Sequence, residues 1–356
     1  MSRIKHYLEV DVVTAARDRI RHIFDTHDTV AVCFSGGKDS LAALHLTWEI
    51  AQERSLGYVN VIFRDEELIP DEVIAFVDEY RALPWVRMLY FAVPLRSTRF
   101  ILGRVLDYIQ WDPSREHLRP VPEHAITLPT GDARVFDQYT MDAFAARYFK
   151  GKIAFINGIR AAESLIRYRA SVNKLGVDSY VNSSSATNVS LCKPLYDWEE
   201  NDVFKYFYAS GIRYCPIYDR QNLSGTALRV ATPFIAESAK KLASLRATVP
   251  EFYRGIMRLF PEMTVQERYY HELDRKALTH RYGQSFEGVR AYIMENIQEE
   301  GQQRKALGRL DAIMRFASRR PSGYPPAYVL NYFITGAFKR SLMPLGARHA
   351  RSKTTR

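Results

Sequence analysis

The fold of this chain is set by the stretch Val30-Ala-Val-Cys-Phe-Ser-Gly-Gly-Lys-Asp-Ser-Leu41. Residues 30–34 carry no charged side chain, which predicts a strand buried on both faces of a parallel sheet. The two glycines that follow predict a tight turn, because backbone without a Cβ can approach a ligand closely. Apolar residues then recur at helical spacing from Leu41 to Trp48. The stretch therefore predicts a strand, a turn and a helix in succession.

The turn and the start of the helix form a candidate anion site. Asp39 and Ser40 favour the first turn of a helix, and the amides exposed there attract phosphate together with the positive end of the helix dipole. Lys38 adds a positive charge at the same place. The stretch does not match the Walker pattern, in which four residues separate the glycines and Lys directly precedes Ser or Thr. We therefore predict a phosphate-binding loop of another kind.

The hexapeptide Ser35-Gly36-Gly37-Lys38-Asp39-Ser40 resembles the loop of the PP-loop ATP pyrophosphatases. This superfamily includes the PAPS reductases, the small subunit of sulfate adenylyltransferase and the ATP pyrophosphatases of DNA phosphorothioation. The resemblance implies an α/β fold with a doubly wound, mostly parallel sheet of the adenine nucleotide alpha hydrolase type. It also implies that the six loop residues bind ATP, that Mg²⁺ is a cofactor, and that ATP is broken between its α and β phosphates.

A second motif, Gly158-Ile-Arg160-Ala-Ala-Glu163, follows an apolar stretch that predicts another strand. It resembles the Gly-(Ile/Val)-Arg-x-x-Glu-Ser segment of PAPS-reductase-like proteins. The resemblance implies that Gly158 lets the backbone approach the nucleotide and that Arg160 pairs with a phosphate or sulfate through its planar fork. Glu163 is expected either to orient Arg160 or to bind a metal. We predict Lys38, Asp39 and Arg160 as catalytic residues, and Asp39 and Glu163 as Mg²⁺ ligands.

Asp65 is a further candidate nucleotide ligand. It follows the second predicted strand, Tyr58 to Phe63, and residues just past the carboxyl ends of strands face the ligand crevice of a doubly wound sheet. Related enzymes carry an Asp after their second strand, so the resemblance implies that Asp65 holds the ribose hydroxyls or Mg²⁺. The alternative is an acidic start to the next helix. Segments at Asp197-Trp198 and Tyr218-Asp219 continue the resemblance, which spans about residues 10–225.

Between the two motifs the spacing of apolar side chains changes twice. Residues 99–109 show helical spacing of apolar side chains and predict a helix. Residues 111–137 lose regular spacing and contain four Pro and one Gly, which is typical of a functional loop or lid. Arg115 and Arg119 in this segment could meet an anionic substrate or lie on the surface, and we favour the surface.

The chain has three cysteines, Cys33, Cys192 and Cys215, and no C-x-x-C pair. This usage favours a reducing compartment, and the N-terminus lacks the apolar core of a signal peptide, so we expect a cytoplasmic protein. No iron–sulfur cluster is expected. Cys192 and Cys215 are candidate sulfur carriers, because the nearby Lys193 and Arg213 could lower a thiol pKa. The alternative is that both are small buried hydrophobes.

The positive charge of the chain is concentrated near its C-terminus. The formal net charge is +10, and residues 301–356 hold twelve Lys or Arg and one acidic residue, Asp311. Such a segment suits nucleic acid, and the alternative is a solvated tail. The 356 residues suffice for two domains, predicted as a nucleotide-binding domain over 1–225 and a helical basic region over 226–356. No run of about 18 apolar residues occurs, so we expect no membrane partner.

These observations predict an ATP pyrophosphatase that adenylates a substrate oxygen and releases pyrophosphate. We expect the acceptor to be nucleic acid, with sulfur insertion such as phosphorothioation and a cysteine desulfurase as donor. The arrangement also resembles a PAPS-reductase-like group of phages and mobile elements, some of them with defence roles. Two alternatives stay open: a nucleotide-sensing, DNA-binding regulator without turnover, and an enzyme of sulfate or PAPS metabolism. PAPS reduction is disfavoured, because the Glu-Cys-Gly-(Leu/Ile)-His motif of the reductases does not occur in the sequence.

Overall fold

The computed structural model describes residues 9–102, 104–163, 167, 180–184, 188–225, 230, 232–234, 239, 242–269, 275–297, 299–336, 338 and 341–345. The basic tail from Arg348, part of the predicted nucleic-acid contact, lies outside the described residues. No described helix combines the length and apolar character needed to cross a membrane.

The main sheet confirms the predicted α/β fold. The described strands are β1 (Thr29–Phe34), β2 (Val59–Arg64), β3 (Val86–Phe91), β4 (Leu95–Ile101), β5 (Arg104–Gln110), β6 (Ile153–Asn157), β7 (Val181–Ser183) and β8 (Val189–Cys192). Six of them form one sheet in the order β3-β2-β1-β6-β8-β7. Every neighbouring pair is parallel except β7 with β8. The order places β1, which carries the glycine loop, between β2 and β6, which carry the other predicted site residues.

Helices cover both faces of this sheet and form the C-terminal region. The described α-helices are α1 (Val12–Thr26), α2 (Lys38–Glu53), α3 (Asp71–Arg81), α4 (Gln138–Ala146), α5 (Glu200–Ser210), α6 (Ile217–Leu223), α7 (Leu242–Thr248), α8 (Pro250–Leu259), α9 (Met263–Tyr269), α10 (Arg275–Tyr282), α11 (Phe286–Asn296), α12 (Glu300–Arg319) and α13 (Pro326–Ile334). Short 3₁₀ turns lie at Ala161–Glu163 and Pro321–Gly323.

Alternation along β1 sends side chains into two separate cores. Val30, Val32 and Phe34 face the core that α1, α2 and α3 cover. Ala31 and Cys33 face the opposite core, where α4 packs. Successive side chains of a strand point to opposite faces, so a strand with a helical layer on each side needs an unbroken apolar run. This is why the sequence of β1 predicted its buried position.

The predicted helix over residues 99–109 is wrong. This segment belongs to β4 and β5, which form an antiparallel hairpin paired from Leu95 with Gln110 to Ile101 with Arg104. Leu102 at the turn has a φ of +41°. The segment is rich in β-branched and aromatic residues such as Phe100 and Tyr108, which favour a strand. Short apolar runs fit both a helical and a strand period, and here residue type was the better signal.

The C-terminal helices pack on this hairpin, which confirms the predicted helical region. Phe234 stacks edge-to-face on Phe260 at 4.7 Å and on Tyr108 at 4.9 Å between ring centroids. The backbone N–H of Phe100 donates to the carbonyl of Phe234 at 2.9 Å. Core contacts therefore cross residue 225, and the domain division at that point stays a prediction.

Gly158 brings the end of β6 against the backbone of α2. A Cβ at this position would lie 2.4 Å from the carbonyl carbon of Asp39 and 2.5 Å from the amide nitrogen of Ser40. The glycine is therefore required for close packing of two segments. Its predicted approach to a nucleotide stays a prediction.

We expect Gly158→Ala to lower the free energy of unfolding by about 2 kcal/mol or more, because the added methyl group meets backbone that cannot rotate away. Gly57→Ala is the control, since a Cβ there meets nothing within 4 Å. Urea unfolding of both variants measures the difference. Equal stability of the two variants would contradict the packing requirement.

Candidate functional site

The loop between β1 and α2 is shaped by its own hydroxyl groups and glycines. The backbone N–H of Ser35 donates to the Ser40 hydroxyl at 3.1 Å, and that hydroxyl donates to the Gly37 carbonyl at 2.9 Å. Gly36 has a φ of +72°, and a Cβ there would lie 2.8 Å from a methyl carbon of Val73. The predicted succession of strand, turn and helix is confirmed, and position 36 requires glycine.

The three predicted catalytic side chains meet beside this loop. Arg160 Nε donates to Asp39 Oδ1 at 2.6 Å, and Lys38 Nζ donates to Asp39 Oδ2 at 3.2 Å. Lys38 and Arg160 are each only 4% exposed. Two cations thus share the Asp39 carboxylate at the N-terminal end of α2. The helix dipole favours anions at the same end.

Two residues that the sequence analysis did not assign to the site contact Lys38. The Tyr218 hydroxyl accepts from the backbone N–H of Lys38 at 2.9 Å, and burial raises the pKa of Tyr218. Glu200, at the start of α5, has a carboxylate oxygen 3.3 Å from Lys38 Nζ and 4.0 Å from Arg160 Nη2. The Tyr218-Asp219 segment was a signal of family resemblance. No spacing rule connects it to a loop 180 residues earlier.

Both predicted Mg²⁺ ligands are engaged by arginines. Glu163 Oε1 lies 3.7 Å from Arg160 Nη2, and the other oxygen pairs with Arg167, while Asp39 binds Arg160 as described. Among the described residues, no group of three or more His, Cys, Asp or Glu could hold a metal ion. The two carboxylates therefore do not fit a metal cage made by protein alone, and Mg²⁺ ligation by them stays a prediction.

Asp65, the predicted ribose or Mg²⁺ ligand, is buried just past the end of β2. Its carboxylate accepts from the Tyr90 hydroxyl at 2.6 Å and from the backbone N–H of Glu67 at 2.8 Å, and it pairs with Arg119. These contacts connect β2 to β3 and to the irregular segment. The geometry supports a structural role, and the ligand role of Asp65 stays a prediction.

Glu67 makes a second buried connection of the same kind. Its carboxylate pairs with Arg115 and accepts from the backbone N–H of Trp111 at 2.7 Å and from the Tyr108 hydroxyl at 3.1 Å. The expectation that Arg115 and Arg119 lie on the surface is therefore wrong. Both guanidinium groups bind acids beyond the end of β2, in a proximity that sequence spacing does not reveal.

The candidate sulfur carriers Cys192 and Cys215 are fully buried. Burial raises the pKa of the Cys215 thiol to about 11. Arg213, which was expected to lower a thiol pKa, pairs with Glu79 instead. A persulfide relay requires a lowered thiol pKa, so the geometry favours the alternative of small buried hydrophobes. Sulfur transfer through these cysteines stays a prediction.

A family model described as the phosphoadenosine phosphosulfate reductase domain matches residues 29–97 and 141–271. The matched ranges include the glycine loop and the Gly158–Glu163 motif. The chain is also similar to the uncharacterized protein YbdN of Escherichia coli (strain K12), with 30% identity over 262 residues. That alignment covers 68% of this chain and 63% of the relative, so the chain spans less than two thirds of the relative's length.

Two solved structures superpose on part of the chain. The FMN adenylyltransferase of Candida glabrata, in complex with FAD and inorganic pyrophosphate, is 13% identical over 58% of each chain, with a TM-score of 0.38. The PAPS reductase from Candida auris, in a phosphate complex, is 14% identical over 61% of this chain and 88% of its own, with a TM-score of 0.34.

We expect Asp65→Ala to destabilise the fold in the absence of any ligand. Removal of one partner from a buried ion pair costs about 3–5 kcal/mol, because the other charge is left unpaired. Thermal unfolding of the ligand-free protein measures this loss. Glu123→Ala, which removes an exposed carboxylate from the irregular segment, is the control. A normal unfolding midpoint for Asp65→Ala, combined with weaker ATP binding, would support the ligand role instead.

Cys215 is expected to resist alkylation in the native protein. With its pKa raised to about 11, only about one thiol in a thousand is ionised at pH 8, and the thiolate is the reactive form. Iodoacetamide labelling at pH 8, read by peptide mass spectrometry, should modify Cys215 in urea and leave it unmodified in the native state. Rapid native labelling would restore the case for a sulfur carrier.

Proposed function

The chain belongs to the phosphoadenosine phosphosulfate reductase domain family, and from this premise we propose that it cleaves ATP between the α and β phosphates and adenylates an acceptor oxygen. The observation that carries the proposal is the sharing of Asp39 by Lys38 and Arg160 at the N-terminal end of α2. All three residues lie within the ranges that the family model matches. The family is named for an enzyme that acts on a nucleotide.

The start of α2 is suited to hold the outer phosphates of ATP. Gly37 occupies the N-cap position and provides no side-chain hydrogen bond to the helix. The Tyr218 hydroxyl accepts from the first amide of the helix, that of Lys38. First-turn amides that no side chain caps keep their capacity for an anion, and the helix dipole adds to it. Lys38 and Arg160 supply two cationic side chains at the same place. We propose that these groups stabilise the charge that develops on the leaving pyrophosphate.

The chemical step balances without a protein nucleophile. A lone pair of the acceptor oxygen forms a bond to the α phosphorus, and the bond from that phosphorus to the oxygen bridging to the β phosphorus breaks. Pyrophosphate leaves with the electron pair of the broken bond. A phosphate or sulfate oxygen attacks as an anion and carries no proton, whereas a hydroxyl group would release its proton to water. Such catalysis depends on positioning and electrostatics.

We propose an acceptor that carries phosphate groups, with nucleic acid as the class and sulfur insertion as the purpose of adenylation. The support is the concentration of positive charge near the C-terminus, which includes the described helix α12. Because Cys192 and Cys215 are buried, sulfur would come from a separate donor such as a cysteine desulfurase. A regulator that binds ATP without turnover is the alternative that the experiment below separates.

We expect Lys38→Ala to reduce pyrophosphate release about 100-fold or more, as removal of one electrostatic group from a reacting centre typically does. The assay incubates the protein with Mg²⁺ and ATP labelled at the α phosphate, with and without short DNA, and detects pyrophosphate, AMP and adenylated product. Lys205→Ala is the control, because Lys205 is an exposed lysine of α5 outside the site.

Two results would contradict the proposal. Tight ATP binding with no pyrophosphate over hours, with every acceptor supplied, would indicate a nucleotide sensor. Equal rates for wild type, Lys38→Ala and Lys205→Ala would indicate that cleavage occurs elsewhere or in a contaminant.

A further inference from the structure

A pocket of about 750 Å³ lies beside the end of β2, between the β4–β5 hairpin, the start of α4 and helix α12. Its lining includes Arg64 at the end of β2, Glu66 just after it, Gln110 at the end of β5, and Gln302 and Lys305 on α12. We infer that this pocket binds a nucleoside phosphate, either free or as one unit of a strand. Pockets that hold ligands of this size commonly measure about 300–1,000 Å³.

Most residues that line the pocket lie outside the part of the chain that the family model matches. The model omits residues 98–140 and everything after 271. Gln110, Asp137, Gln302, Lys305 and Arg309 all lie in these unmatched parts and all line the pocket. The chain therefore builds the pocket by placing its own hairpin and helix against one edge of the family's sheet.

The cationic side chains of the lining favour an anionic ligand. They are Arg64, Arg96, Lys305 and Arg309. Arg64 Nη1 lies 3.4 Å from Asp142, and Arg96 Nη1 donates to Asp107 at 2.8 Å. Within the described ranges, neither Lys305 nor Arg309 forms an ion pair. Lysine and arginine side chains without a carboxylate partner can each contribute a charge-assisted hydrogen bond to a phosphate.

The two acidic residues of the lining do not cancel this charge. Asp137 caps α4, where its carboxylate accepts from the backbone N–H groups of Tyr139 and Thr140 at 2.9 and 2.8 Å. Glu66 is partly buried, and burial raises the pKa of its carboxyl group. Because Arg64 and Arg96 are paired with acids outside the lining, Lys305 and Arg309 are the cations left to meet a ligand, and the Asp137 carboxylate is already occupied by the start of α4.

Two buried amide groups indicate that the ligand also donates hydrogen bonds. Gln110 and Gln302 line the pocket and are each 2% exposed, and the side-chain oxygen of each has no hydrogen-bond partner among the described residues. Gln302 Nε2 donates to Asp107 Oδ1 at 2.7 Å, which fixes the identity of its oxygen. A buried carbonyl oxygen without a donor is costly. Both oxygens are themselves buried, so the exocyclic amino group of adenine, cytosine or guanine would supply a donor once the amide group turns toward the pocket.

The pocket and the glycine loop lie on neighbouring strand ends. β1 and β2 are adjacent and parallel, with Phe34 paired to Phe63, so Ser35 and Arg64 are the next residues along each strand. Neighbouring strands lie about 4.8 Å apart. The pocket lies on the α4 side of the sheet and α2 on the other side, so a ligand that extends from the pocket past these strand ends would present an oxygen to ATP held at the loop. This assignment of the pocket as the acceptor site rests on the proposed function, whereas nucleoside phosphate binding does not.

The test compares cytidine and uridine 5′-monophosphates, which differ by an amino group in place of a carbonyl oxygen. Calorimetric titration of the full chain should give a dissociation constant for CMP about tenfold or more below that for UMP, the size expected for one satisfied hydrogen bond. A ten-residue oligocytidine against an oligouridine forms the second arm. Tighter binding of the oligocytidine than of CMP, calculated per nucleotide, indicates that the pocket binds a strand. Equal affinity per nucleotide indicates that it binds the free nucleotide.

The matched variants reverse one charge at two places on α12. Lys305→Glu should weaken CMP binding about tenfold or more, since it replaces an attraction by a repulsion. Arg315→Glu makes the same charge change at an exposed position outside the lining and should leave binding unchanged. Gln302→Leu should abolish the preference for CMP over UMP, and circular dichroism confirms that each variant folds.

Absence of CMP binding, equal affinity for CMP and UMP, or equal effects of Lys305→Glu and Arg315→Glu would each overturn the assignment. The proposed function fails separately, because it concerns pyrophosphate release from ATP. CMP binding without ATP cleavage would support the pocket assignment and contradict the proposed enzymatic activity. ATP cleavage without CMP binding would do the reverse.

Discussion

The ion pair between Asp39 and Arg160 is the interaction on which the candidate site depends. It joins the first turn of α2 to the segment after β6, which are 121 residues apart in sequence. The pair forms because β1 and β6 are adjacent parallel strands whose carboxyl ends meet at one edge of the sheet. Gly158 allows the two segments to approach within backbone contact. Lys38 then shares the same carboxylate, so the ion pairs hold both cations beside the loop.

The acids that follow β2 connect the same edge of the sheet to the irregular segment. Asp65 and Glu67 bind Arg119 and Arg115, which belong to the irregular segment after the hairpin. Two buried carboxylates and two guanidinium groups thereby connect residues 111–137 to the end of β2. The hairpin held in this way supplies one wall of the pocket beside β2.

The molecule therefore combines a core that the family model matches with additional elements that line the pocket. The loop, the Gly158–Glu163 motif and the main sheet lie in the matched ranges, whereas most of the hairpin and α12 lie outside them. Under the proposed function, the matched core would activate ATP and the unmatched walls would bind the acceptor. Function is carried by sites placed on a fold, and the added walls are where a distinct acceptor would be recognised.

Sequence by itself determined the glycine loop and the buried strand before it, which follow from local composition. The family resemblance assigned Lys38, Asp39 and Arg160 to one site, and the structure brought them into contact. Only the tertiary structure decided that residues 99–109 form strands, that Asp65 is buried, and that Tyr218 and Glu200 join the site. Each of these outcomes depends on contacts between segments far apart in the chain. Local periodicity contains no record of such partners, because burial and pairing are set by the whole fold.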